Sequence, residues 1–192
     1  MIRILNYGEV PNRELFARRD IVSDVADIVS GIIRDVAEHG DAALRAYEKK
    51  LDKAELDSLE VTQQELDTAE ASVAPEFLQI LQEAAANIRS YHEKQRRTNY
   101  IINDRAGVVM GQKILPIENV GIYVPGGTAA YPSTVLMDAI PAKIAGCGQI
   151  IMVTPPAADG SINPVILAAA RIAGVDRIFK LGGAQAIAAL AY

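Results

Sequence analysis

The chain has 192 residues, of which 50% are hydrophobic and 22% charged, and its formal net charge is −5. This length and apolar content are enough to bury a core, which excludes a disordered chain. A modest acidic charge without blocks of like charge excludes nucleic acid and anionic membranes as expected partners. Cys147 is the single cysteine, so no internal disulfide can form. Because there is also no signal-peptide pattern and no run of transmembrane length, we expect a cytoplasmic location.

The N-terminal half is predicted to be mainly helical. Apolar residues recur at helical spacing and are punctuated by glycine, proline and capping residues. Four helices are predicted: one over residues 21–39 that Gly40 stops, a second capped by Asp41 and carrying Leu44, Tyr47 and Leu51, a third opened by a capping box at Thr62–Glu65, and a fourth from Pro75 to a basic end at Lys94, Arg96 and Arg97. Short β-branched runs follow at residues 100–102, 107–110 and 113–115, and they predict short strands or a hairpin.

The C-terminal half repeats one unit of strand and helix. The predicted elements are a strand at 119–124, a helix at 133–146, a strand at 149–153, a helix at 164–173, a strand at 177–181 and a helix from 184. Such βαβαβα alternation favours a parallel sheet, so the fold class is α/β with an incomplete Rossmann-like sheet. We expect three regions: an N-terminal arm (1–20), a helical region with short strands (21–118) and a nucleotide-binding unit (119–192).

Three predicted loops leave the carboxyl ends of the strands. They span residues 125–132, 155–163 and 182–184, and ligands bind at this edge in open α/β sheets. The pairs Gly126–Gly127 and Gly182–Gly183 are compatible with tight turns or with close approach of a ligand. Bare backbone N–H groups at a helix start would suit a small, polar, partly anionic ligand. Ser133 or Thr134 is expected to cap the helix that follows the first loop.

Few side chains at this edge can carry chemistry. Tyr123 is either an ordinary strand aromatic or a hydroxyl directed at a ligand, and Gln185 is either a helix-terminal hydrogen-bonding group or a reader of a nucleotide. Lys143 is interpreted as a solvent-facing charge, with a phosphate contact as the alternative. His39, His92 and Cys147 are expected to be structural, and no spacing typical of a metal site is present.

The residues at this edge resemble a known family. The stretch Val120-Gly121-Ile122-Tyr123-Val124-Pro125-Gly126-Gly127, the run from Ala130 to Met137 and the run from Gly182 to Ala191 closely resemble histidinol dehydrogenase. Similar residues recur upstream, at Gly40–Leu44 and around Asn87 and His92. The resemblance therefore covers nearly the whole chain and is weakest over residues 1–20.

The resemblance implies an enzyme that oxidises L-histidinol through the aldehyde to L-histidine, the last step of histidine biosynthesis. It implies two NAD used in succession, one Zn²⁺ and a homodimer with Rossmann-like domains. Tyr123 and Gln185 match NAD-contacting positions of that family. The family's zinc ligands and its acid/base pair have no counterpart in this chain, so no catalytic and no metal residue is assigned here.

The family's enzymes are more than twice as long as this chain. Residues 184–192 form an apolar helical run without a capping glycine. We therefore expect an N-terminal fragment that is inactive by itself. Two alternatives stay open: a non-catalytic small-molecule or nucleotide-binding module, and an assembly role in which the N-terminal arm pairs two chains.

Overall fold

The computed structural model describes Leu5 and residues 8–16, 25–127 and 129–192. The predicted N-terminal arm therefore lies partly outside the described residues. Its described part contains one short helix, α1 (Asn12–Leu15), which buries no residue. None of the helices in these ranges is both long enough and apolar enough to cross a membrane.

A parallel three-stranded sheet forms the centre of the C-terminal half. Strands β3 (Asn119–Tyr123), β4 (Gln149–Thr154) and β5 (Arg177–Lys180) lie in the order β3-β4-β5. Helices α6 (Pro132–Ala145) and α7 (Pro164–Ala173) connect them, and α8 (Gly183–Ala191) follows β5. The predicted α/β class and the βαβαβα order are confirmed, with each boundary within one residue of its prediction.

Local chemistry explains where these helices begin and end. The Asn163 side chain accepts the Val165 N–H at 2.9 Å, and Gly146 and Gly174 end their helices in the left-handed conformation, as predicted. The cap expected from Ser133 or Thr134 is wrong. Helix α6 already begins at Pro132, whose ring fixes the backbone angle needed in a first turn and needs no capping partner.

The four helices predicted for the N-terminal region are present, although the start predicted for the first one, at residue 21, lies outside the described residues and the second one ends in a π-helical turn. Its elements are α2 (Ala26–His39), α3 (Asp41–Tyr47), a π-helical turn (Glu48–Asp52), α4 (Gln63–Ser72) and α5 (Pro75–Glu93). The Thr62–Glu65 capping box is present. Asp41 does not cap α3, because Gly40 occupies the cap position with φ +54° and Asp41 is the first helical residue.

These helices cover both faces of the sheet. Helices α4 and α5 pack with α6 and α7 on the face that carries Ile122, Ile150 and Met152, whereas α2 and α3 pack with α8 on the opposite face. Residues 59–61 also extend the sheet, since the Lys180 N–H donates to the Leu59 carbonyl at 2.7 Å. The proposed division at residue 118 stays a prediction, and α5 contacts α6 across it.

The predicted hairpin is present, but one of its three runs is not a strand. Strands β1 (Tyr100–Arg105) and β2 (Val108–Gln112) pair antiparallel, and every residue in both is exposed. The strand predicted at 113–115 is wrong. The Ile114 N–H donates to the Asn99 side chain at 2.6 Å and so leaves the strand ladder.

Lys143 binds a carboxylate at the amino ends of the strands. Its Nζ lies 2.8 Å from both oxygens of Asp176, and Asp176 Oδ2 also accepts the Ile150 N–H at 2.7 Å. Since this ion pair lies at the edge opposite the glycine loops, the alternative of a phosphate contact for Lys143 at those loops is wrong. Asp176 ties the start of β4 to the start of β5.

We expect Asp176→Ala to lower the free energy of unfolding by about 1–3 kcal/mol, because the Ile150 N–H at the start of a buried strand loses its side-chain acceptor. Lys143→Met is the matched variant and should cost less than about 1 kcal/mol, since the pair is partly exposed. Urea denaturation of both variants measures the difference. Equal losses in the two variants would contradict the role given to Asp176.

Candidate ligand site at the carboxyl edge of the sheet

The three loops meet at Pro155. A Cβ added to Gly126 would lie 2.5 Å from Pro155 Cγ, and one added to Gly182 would lie 2.7 Å from Pro155 Cβ. Both glycines are therefore required for loop packing, which favours the structural alternative for these two positions. Gly127 and Gly183 differ, because their φ angles of +107° and +58° are left-handed. Gly127 has open space around its Cα.

The first two N–H groups of α8 are already bound within the chain. The Gly183 N–H donates to the Tyr123 hydroxyl at 3.2 Å, and the Gly182 N–H donates to Glu48 Oε1 at 3.3 Å. The N–H groups of Ala184 and Gln185 have no acceptor among the described residues. Of the two, only the Ala184 amide is open to a ligand, because Gln185 is fully buried.

Tyr123 and Gln185 lie at the same end of the sheet. Tyr123 is half-buried at the end of β3, and its hydroxyl reaches the start of α8. Gln185 is fully buried in the first turn of α8, and its Nε2 donates to Glu48 Oε1 at 3.0 Å. The structure thus brings the two predicted residues to one helix start. It also turns the Gln185 carboxamide inward, towards the N-terminal helical region.

Sequence reasoning missed Glu48. This side chain is fully buried, and within the described part of the chain its Oε2 and Gln185 Oε1 have no hydrogen-bond partner. The signal was its spacing: Glu48 stands four residues after Leu44, so it falls on the apolar face of its helix. A carboxylate on an apolar face is rarely buried without a functional or structural partner.

Burial and a second carboxylate change the ionisation of Glu48. The pKa of Glu48 is raised from 4.5 to about 7, chiefly by burial and to a smaller extent by the nearby Asp52, while hydrogen bonds from Gln185 and Gly182 oppose the shift. A Cβ on Gly182 would lie 3.3 Å from Asp52 Oδ2. Two acidic side chains therefore lie beneath the turn that opens α8.

The other reactive side chains bind close neighbours in the sequence. His39 Nδ1 lies 2.8 Å from Asp35 Oδ1, and His92 Nδ1 lies 2.7 Å from Gln95 Oε1. Cys147 is partly buried against the core. Among the described residues, no group of three or more His, Cys, Asp or Glu side chains is arranged to hold a metal ion.

Comparison with known proteins gives the family. The family model described as histidinol dehydrogenase matches residues 17–192. The chain is 49% identical to a histidinol dehydrogenase of Methanosarcina mazei over 191 residues and 52% identical to one of Clostridium acetobutylicum over 197 residues. The chain belongs to the histidinol dehydrogenase family.

These matches cover much of this chain but less than half of each relative. The alignments span 99% and 100% of this chain, and 44% and 46% of the Methanosarcina and Clostridium proteins respectively. The crystal structure of histidinol dehydrogenase from Elizabethkingia anophelis aligns with a TM-score of 0.84 at 44% identity, over 86% of this chain and 38% of that one. The chain therefore spans less than half the length of these relatives.

The described residues at this edge suit a nucleotide better than a metal ion. Near the start of α8 the Ala184 N–H has no acceptor among the described residues, the buried Gln185 Oε1 has no hydrogen-bond partner there, and the Tyr123 hydroxyl lies beside the Gly183 N–H. Such a group suits the phosphate and polar atoms of NAD. The described residues offer no comparable donor set for Zn²⁺.

Gly126→Ala tests the packing of the loops. We expect it to lower the free energy of unfolding by about 1–3 kcal/mol, because its Cβ would overlap the rigid ring of Pro155. Pro155→Ala removes the ring atoms that clash, so Gly126→Ala should cost much less in that background. Thermal or urea unfolding of the two single variants and the double variant gives the coupling. Additive losses would contradict the contact.

Glu48→Gln tests the buried carboxylate. A carboxyl whose pKa is raised from 4.5 to about 7 keeps its proton in the folded state longer than in the unfolded state. Stability therefore falls as the pH rises from 4.5 to about 7, and the loss is complete above that range. We expect Glu48→Gln to be more stable than the original chain by up to roughly 3 kcal/mol above neutral pH, with a smaller gain near pH 5. Urea denaturation at both pH values measures this, and equal gains would contradict it.

Proposed function

We propose that this chain supplies the nucleotide-binding edge of a histidinol dehydrogenase, which oxidises L-histidinol through the aldehyde to L-histidine and reduces two NAD. The observation that carries the proposal is the meeting of three strand-end loops at the start of α8, in a chain whose family match covers residues 17–192. In open α/β sheets this is the edge at which nucleotides bind.

Tyr123 and Gln185 are the proposed NAD contacts. The Tyr123 hydroxyl accepts the Gly183 N–H and can still donate its own proton to a ligand. The free N–H group of Ala184 and the positive end of the helix dipole favour a phosphate at the start of α8. When bound, NAD supplies the hydride acceptor, and the chain's part is to orient it.

The oxidation also needs groups that the described residues do not bring together. Removing a hydride from an alcohol at neutral pH requires a polarising ion and a general base. The described histidines bind side chains three or four residues away in the sequence, His39 that of Asp35 and His92 that of Gln95. We propose that the Zn²⁺ ligands and the base belong to sequence beyond this chain, and that the complete enzyme is a cytoplasmic homodimer.

NAD binding by the 192-residue chain tests the nucleotide edge. We expect Tyr123→Phe to weaken binding about tenfold, the cost of one hydrogen bond at a polar ligand. Tyr91→Phe, which removes a hydroxyl from an exposed tyrosine on α5, is the matched control and should leave the affinity unchanged. Isothermal titration calorimetry measures both. Equal affinities for the Tyr123 and Tyr91 variants would contradict the assignment.

A second prediction concerns the activity of the chain by itself. The purified chain, mixed with L-histidinol, NAD and Zn²⁺, should form no NADH, because the groups that activate the alcohol are outside it. Absorbance of NADH over several hours is the measurement. Sustained NADH formation that depends on histidinol would show that the chain carries its own catalytic groups.

A further inference from the structure

Glu48 and Gln185 form a contact that connects two distant parts of the chain. Glu48 lies in the π-helical turn after α3, and Gln185 lies 137 residues later in the first turn of α8. One carboxylate oxygen, Oε1, accepts both the Gln185 Nε2–H at 3.0 Å and the Gly182 N–H at 3.3 Å. Both side chains are fully buried, so water does not compete for these bonds.

Glu48 Oε2 and Gln185 Oε1 have no hydrogen-bond partner among the described residues, so the Gln185 carboxamide has two possible orientations. Gln185 Oε1 is directed at the Gly183 turn, where a Cβ would lie only 2.7 Å from it. An ionised Glu48 can only accept, so it holds the NH₂ group of Gln185 and leaves the amide oxygen facing that turn. A neutral Glu48 carries an O–H donor, and half a rotation of the carboxamide would place the amide oxygen where it accepts that proton.

We propose that Glu48 is a positioning residue, whose charge state sets which end of the Gln185 carboxamide faces the turn at Gly183. The ionised carboxylate turns the amide oxygen to Gly183, and the neutral acid turns the NH₂ group to it. The start of α8 therefore presents either an acceptor or a donor on its inner side.

The groups around Glu48 favour a change of its charge state near neutral pH. Asp52, on the same π-helical turn, is the acidic neighbour, and both its negative charge and its side-chain hydrogen bond with the Glu48 carboxyl oppose ionisation of Glu48. From β3 the Tyr123 hydroxyl reaches the same turn, while α8 contributes only the uncharged Gln185. Lys49 and Lys53 of the same segment bind Glu55 and the Lys50 carbonyl. No described basic side chain binds Glu48, whose pKa is raised to about 7.

Nuclear magnetic resonance of the 192-residue chain without nucleotide tests the proposal. The side-chain amide signals of Gln185 and the backbone amide of Gly182 should titrate together with a midpoint of about pH 7. The nuclear Overhauser contact between the Gln185 NH₂ protons and the Gly183 Hα should be stronger at low pH than at high pH, where Nε2 lies 3.3 Å and Oε1 2.7 Å from the position of a Cβ at Gly183. Gln185 signals that stay constant across the titration would overturn the proposal.

Three variants separate a charge effect from a merely structural one. Glu48→Gln keeps an acceptor and a donor but no charge, so it should fold and abolish the titration of Gln185. Asp52→Asn removes the like charge and should move the midpoint to lower pH. Glu55→Gln alters an exposed glutamate of the same segment and should change nothing at Gln185. A Glu48→Gln chain that still titrates like the original would overturn the proposal.

A consequence for nucleotide binding rests on the proposed function. Two carboxylates beneath the start of α8 repel a pyrophosphate more strongly when Glu48 is ionised, so NAD binding should raise the pKa of Glu48. A rise of one unit corresponds to NAD binding about tenfold more weakly well above pH 7 than well below it. Glu48→Gln should bind equally at both pH values. Absence of NAD binding at every pH would contradict the proposed function, whereas the nucleotide-free titration alone decides the role of Glu48.

Discussion

The packing of two glycines on Pro155 is the constraint on which the ligand edge depends. Parallel strands bring three loops to one edge, but the strands alone leave each loop free to diverge. Gly126 and Gly182 touch the Pro155 ring so closely that any larger residue would separate the loops. Because the loops are held together, Tyr123 at the end of β3 can reach the Gly183 N–H across the sheet edge.

The N-terminal helical region contributes directly to this edge. Its π-helical turn places Glu48 against the start of α8, where a glutamate continuing a regular α-helix would follow a different direction. This arrangement buries a carboxylate, one oxygen of which has no hydrogen-bond partner among the described residues. A contact with a purely structural role would avoid such a cost. Burial without full satisfaction is typical of sites that change state or hold a ligand.

Much of the fold follows from local signals in the sequence. Asn163-Pro164, the helix-ending glycines and the capping box at Thr62 act within four residues, so the pattern alone predicts them. Errors arose where a distant residue decided the outcome. Asn99 takes the Ile114 N–H out of a predicted strand, Asp176 binds Lys143, and Glu48, which no motif indicated, accepts the Gly182 N–H. Each of these contacts spans 15 to 134 residues along the chain.

The family resemblance and the geometry of the structure point to different residues at the ligand edge. The resemblance around Tyr123 and Gln185 is the basis for proposing these two residues as nucleotide contacts, yet it carries no information about Glu48, which lies outside the quoted motifs. In the structure Gln185 bonds inward to that glutamate, so its amide can serve a ligand only through the arrangement that Glu48 permits. A buried side chain at a helix start thus acts on a ligand through orientation and charge, and Glu48 is the group in this chain that controls both.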